Sequence, residues 1–137
     1  MNLTSLILLL YIAWILVLLV AIATHRSFLT LVGKRAANSF NPDGSDVSPA
    51  GHRLVRVHAN CLEGFPIYGG LMLVAMLTKQ TALLDGTVVV WFVARMGQSI
   101  THLFSTHPTA VIVRFSFFSV QVGLAFWWLL QLSGVLK

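Results

Sequence analysis

Charge is what this chain has least of. Of its 137 residues only 9% are Asp, Glu, Lys or Arg, and four of those are acidic, where a soluble domain carries roughly 25%. Hydrophobic residues at 57% and a mean hydropathy of +0.84 exclude a water-soluble globular protein and identify an integral membrane protein. One cysteine, Cys61, excludes an intrachain disulfide and reads as a small buried residue. The five histidines form no His-x-x-x-His or Cys/His pairing, so no metal site is expected. Residues 1–5 hold no Lys or Arg, the basic segment a cleaved signal peptide needs, so the first apolar run reads as a retained anchor. A net charge of +5 comes without a basic run interleaved with aromatics, which argues against nucleic acid as a partner. There is no internal repeat and no low-complexity segment.

Long apolar runs are plentiful. Residues 6–23 match the ~20 residues needed to cross a ~30 Å hydrocarbon core. Three more spans are predicted at about 49–78, 86–104 and 109–132, giving an all-α membrane protein with a four-transmembrane-helix bundle in a single domain, 1–137. The connection at 33–48 is long, polar and turn-rich, and the other two are short. Arg26, Lys34, Arg35, Arg53 and Arg56 border that first loop, with Arg114 just inside the same face, while Lys79 and Lys137 lie on the opposite side. That bias predicts first and third loops in the cytoplasm and both termini outside. Trp14, Trp91, Trp127 and Trp128 read as interfacial anchors or lipid contacts. Gly69, Gly70, Gly97 and Gly123 read as points of close helix approach, and Pro66 as a possible kink in the second helix.

The most informative local pattern is Arg53-x-x-Arg56-x-x-x-Asn60-x-x-Glu63, which runs directly into apolar sequence. At about 100° per residue these four side chains fall within roughly 80° of arc, a polar stripe on one helix face. Ionisable groups inside a span cost roughly 2.5–3.5 kcal/mol on insertion scales, so such a stripe marks a protein-lined functional cavity. Counting back from residue 78 at 1.5 Å per residue puts Glu63 roughly 22 Å from that end, about 8 Å inside the far boundary. On the third helix Arg95, Gln98 and His102 share a face, and Arg114 of the fourth is expected level with Glu63. Arg56, Arg95 and Arg114 thus outnumber one Glu63, with Arg53 at the rim. Uncompensated buried charge is costly, so the surplus predicts a ligand with at least two negative groups. Arg53 and Arg26 have the alternative of reaching lipid headgroups.

The string Arg53-Leu-Val-Arg56-Val-His-Ala-Asn60-Cys61-Leu-Glu63-Gly-Phe65-Pro66 resembles the signature of the MAPEG family, the membrane-associated proteins of eicosanoid and glutathione metabolism, and within it the microsomal glutathione transferase and leukotriene-C synthase group. The resemblance extends over essentially the whole chain. It implies a homotrimer in the bilayer, with glutathione as co-substrate bound between subunits and a lipophilic small-molecule substrate entering from lipid. It further implies glutathione-binding roles for Arg53, Arg56, Asn60, Glu63, Arg95 and His102, a rim contact at Arg26, and Arg114 as the catalytic arginine beside the thiol. In a bacterium the protein would sit in the plasma (inner) membrane with its site facing the cytoplasm. Two positions depart from the pattern: His102 stands where many members have tyrosine, and Gly64 where related enzymes often have an aromatic, which predicts a substrate groove that is wider or differently shaped.

Chemistry agrees with those roles. Glutathione carries two carboxylates, an ammonium and a thiol; arginines suit the carboxylates, Glu63 the ammonium, and a guanidinium beside the thiol favours the nucleophilic thiolate. The expected activity is conjugation of glutathione to a lipophilic electrophile, or reduction of a lipid hydroperoxide. The alternative is a non-catalytic lipid- or effector-binding protein on the same fold. A small four-helix drug exporter would keep arginines out of its acidic pathway, contrary to what is found here.

Overall fold

The computed structural model describes residues 1–136, and Lys137, counted in the orientation argument, lies outside them. The elements are α1 (Leu3–Leu31), α2 (Pro49–Leu77), a single turn α3 (Ala82–Asp85), α4 (Val88–Phe104) and α5 (Pro108–Leu132). Their starts are written locally. The Asn2 side chain accepts from the Ser5 N–H, Ser48 from Gly51 and His107 from Thr109, with Pro49 and Pro108 following in first-turn positions. These oxygens and ring nitrogens take up backbone donors that the first helical turn leaves unpaired. Gly33, at φ +71, supplies the left-handed residue that turns the chain away after α1.

All four expected spans are present as helices, within two residues of the predicted bounds where α2, α4 and α5 begin and end. At 1.5 Å per residue, the 29-residue α1 and α2 reach about 43 Å, beyond a ~30 Å hydrocarbon core and into the headgroup layer. α1, α2 and α5 are long and apolar enough to cross a membrane, while α4, with 17 residues, is a shorter apolar helix. The fold is therefore an all-α membrane bundle of four helices, with α4 packed along α5 and α1 along α2.

The link between α2 and α4 is more ordered than its shortness suggests. Asp85 Oδ1 accepts from both the backbone N–H and the hydroxyl of Thr4, at 2.9 and 2.6 Å, which ties α3 to the start of α1. Leu84 is fully buried beneath that tie.

The core corrects the reading of the tryptophans. Trp91 and Trp128 are fully buried, not interfacial; Trp127 is exposed and Trp14 half-buried. Trp91 packs against Tyr11, Tyr68 and Trp128 with ring centroids 5.0, 5.1 and 6.2 Å apart, and the Trp128 Nε1–H donates to Thr87 Oγ1 at 2.8 Å. With a hydroxyl in reach, the buried Trp128 indole keeps its hydrogen bond, whereas the Trp91 N–H is buried without a partner and its burial rests on ring packing alone. Gly97 does permit close approach, since a Cβ there would lie 2.6 Å from the Phe117 ring of α5, but nothing comes within 4 Å of a Cβ at Gly70 or Gly123.

The long first loop is pinned from inside. Arg35 forms an ion pair with Asp46, and Phe40 lies against the Arg26 and Arg35 guanidiniums, 5.6 and 5.1 Å from its ring centroid. The hydrogen bond from Arg35 holds the Asp46 carboxyl below its ordinary value, and hydrogen bonds from Ser45 do the same for Asp43.

Candidate functional site

The polar stripe of α2 divides into two pairs seven residues apart. Arg53 and Asn60 turn towards α4: Arg53 Nε donates to the Leu103 carbonyl at 2.8 Å, and Asn60 Oδ1 accepts from Arg95 Nη1 at 2.7 Å. The first bond satisfies one of the last carbonyls of α4, which have no partner within their own helix. Arg56 and Glu63 are exposed on the protomer. Among the described residues the only ion pair is Arg35–Asp46, so none of Arg53, Arg56, Glu63, Arg95 or Arg114 is paired with an opposite charge.

Arg95 is only 2% exposed. Its guanidinium carbon sits 5.6, 5.1 and 5.9 Å from the ring centroids of Tyr11, Tyr68 and Trp91, a cage drawn from α1, α2 and α4. Desolvated cation–π contacts of this kind contribute up to about 2 kcal/mol each, which makes an unpaired cation tolerable at this depth. Gly64 closes the remaining side: a Cβ on it would lie 2.7 Å from Arg95 Nη2 and 3.0 Å from Tyr68. The missing aromatic at position 64 therefore makes room for Arg95, where the sequence suggested a wider groove.

His102 is half-buried in the last turn of α4, next to Leu103, whose carbonyl accepts from Arg53 Nε. Arg53 and Arg56 near the start of α2, His102 in the last turn of α4 and Arg114 near the start of α5 thus all lie at the first-loop end of the bundle. Arg114 is half-buried. Glu63 lies seven residues beyond Arg56, about 10 Å further along α2. Three residues past Glu63 an apolar groove of about 470 Å³ opens between α2 and α5, lined by Pro66, Gly70 and Val74 facing Val122, Phe126 and Leu129.

Arg26 takes a different place. Its Nη2 donates to the Asn41 carbonyl at 3.1 Å and its guanidinium stacks on Phe40, so within the protomer it serves the first loop. Cys61 is fully buried, as read from sequence, with Sγ 3.6 Å from Ser99 Oγ. Its carbonyl accepts from the Tyr11 hydroxyl at 2.6 Å. Gln98 shares the Arg95 face as predicted and accepts from Gln121 Nε2 at 2.9 Å inside the bundle. Sequence reasoning missed Tyr11, Tyr68 and Gln121; the signal for Tyr11 was a lone hydroxyl in an otherwise apolar span.

The model of the MAPEG family matches residues 4–133, nearly the whole chain. No curated protein and no solved structure matches.

Proposed function

The chain belongs to the MAPEG family of membrane proteins of eicosanoid and glutathione metabolism, and from that premise we propose that it is a glutathione transferase acting on lipophilic electrophiles, with lipid hydroperoxide reduction as its related activity. The observation that carries the reading is that Arg53, Arg56 and Arg114, all at the first-loop end of the bundle, have no carboxylate partner among the described residues. Such a surplus is complementary to the two carboxylates and the thiolate of glutathione.

In this reading three copies assemble, and each glutathione lies at a junction between subunits that opens to the cytoplasm. Arg53 and Arg56 bind carboxylates, and Glu63 binds the ammonium. Arg114 stabilises the thiolate, and His102 hydrogen-bonds at the same level. The glutathione S–H gives up its proton to water at the cytoplasmic opening, and the sulfur lone pair forms a C–S bond to the electrophilic carbon of a substrate held in the lipid-facing apolar groove, as the bond from that carbon to its leaving group breaks and the group departs with the electron pair. Arg26 and Arg95, engaged within the chain by the Asn41 carbonyl and by Asn60, contribute through those neighbours.

A thiolate difference spectrum on the purified protein with added glutathione tests this. Wild type should show saturable thiolate formation and glutathione-dependent turnover. Arg114→Ala should lower both by roughly a hundredfold, the scale of losing one charge-stabilising donor. Glu63→Gln should weaken glutathione binding. Absence of binding and thiolate in wild type would instead favour the effector-binding alternative.

A further inference from the structure

We propose that Arg95 is a positioning residue that fixes which end of the Asn60 amide faces the ligand, so that the site meets glutathione at this point with a hydrogen-bond donor. The inference rests on the glutathione reading for the identity of the ligand, but its structural half does not.

The two ends of an asparagine amide are nearly isosteric and opposite in hydrogen-bonding sense. At Asn60 the ambiguity is removed by chemistry, because a guanidinium has five N–H donors and no acceptor. The Asn60 atom 2.7 Å from Arg95 Nη1 must therefore be Oδ1. Arg95 cannot easily turn to suit the other orientation. Rings of Tyr11, Tyr68 and Trp91 hold it within 5.1–5.9 Å, and Gly64 leaves no slack beside Nη2. With Oδ1 engaged, the Asn60 NH2 has no partner among the described residues, and Asn60 is half-buried, so this group remains accessible about one helical turn from both Arg56 and Glu63. A donor there selects a carbonyl or carboxylate oxygen of the ligand and rejects another donor. Burial explains why an arginine, and not a neutral donor, does the holding: the charge-assisted bond is roughly twice as strong as a neutral one.

The test separates the parts, using the full chain in detergent or nanodiscs. Asn60→Asp keeps an acceptor for Arg95, now a charged one, but removes both donors. Its Tm should equal or exceed that of wild type, while Asn60→Ala, which leaves Arg95 without its acceptor, should melt several degrees lower. Glutathione affinity should fall at least tenfold in Asn60→Asp. Arg95→Lys retains the cation but shortens the reach, so the KM for glutathione should rise with kcat unchanged, the mark of lost uniform binding. In an Asn60→Ala background Arg95→Lys should raise KM no further, because its effect passes through Asn60. Additive KM effects, or unchanged affinity in Asn60→Asp, would overturn the proposal. If wild type binds no glutathione, the functional reading fails, and the melting comparison alone decides the orientation. Asn60→Asp melting as low as Asn60→Ala would then overturn it.

Discussion

A methyl group at position 64 would stand 2.7 Å from Arg95 Nη2, closer than side-chain contacts allow. A flexible arginine end would normally move aside, but this one is enclosed by three rings and bonded to Asn60. Gly64→Ala should therefore destabilise the protein by about 1–3 kcal/mol, the usual range for overpacking, read as a lower Tm and a weakened glutathione response. An unchanged Tm would mean the cage has more room than its distances imply. Position 64 also shows how far sequence reaches at this scale. The polar stripe was legible from spacing within one helix and the burial of Cys61 from its residue type, but not the division of the stripe into Arg53 and Asn60 turned to α4 and Arg56 and Glu63 turned outward. The cage was not, because Tyr11, Tyr68 and Trp91 come from three helices, and helical phase gives the face a residue occupies but not the partner it meets.

Helices were the legible elements, since apolar length and the Ser48-Pro49 and His107-Pro108 starts are local signals. α3 escaped notice because its four residues are fixed by Asp85 bonding to Thr4, 81 positions away in sequence. The first loop offers a test at this scale. Asp46 holds Arg35 and also accepts from the Asn41 N–H at 3.1 Å. Its carboxyl pKa is lowered chiefly by the hydrogen bond from Arg35. A depressed folded value means that the stabilisation is fully present above the unfolded value of 3.8 and is lost as pH falls through the folded one. Hydrogen-exchange protection at the Asn41 amide, corrected for intrinsic rates, should hold at pH 5 and drop below about pH 3.8. Asp46→Asn should be poorly protected throughout. Equal protection in the variant at both pH values would show that the ion pair does not hold the loop.

Glu63 is the middle residue of the 29-residue α2, so wherever that helix crosses a ~30 Å core, this carboxylate lies at least roughly 8 Å inside it. It is nevertheless exposed on the protomer and has no ion-pair partner there. A charged side chain facing lipid near the middle of a helix costs roughly 2.5–3.5 kcal/mol, and exposed Arg56 lies on the same outward line. Gly70, against which nothing in the protomer packs, continues that line into the apolar groove. A lone chain in the bilayer would bear these costs, and the proposed assembly with bound ligand would remove them. On the proposed trimer, the protein in mild detergent should show three times the 15.1 kDa chain mass by native mass spectrometry. Glu63→Lys adds a fourth cation beside Arg53, Arg56 and Arg114 and should raise the dissociation constant of the trimer at least tenfold. A stable monomer that keeps Glu63 in contact with lipid would instead require the carboxylate to be neutralised within one chain, and no cation of the described residues is paired with it.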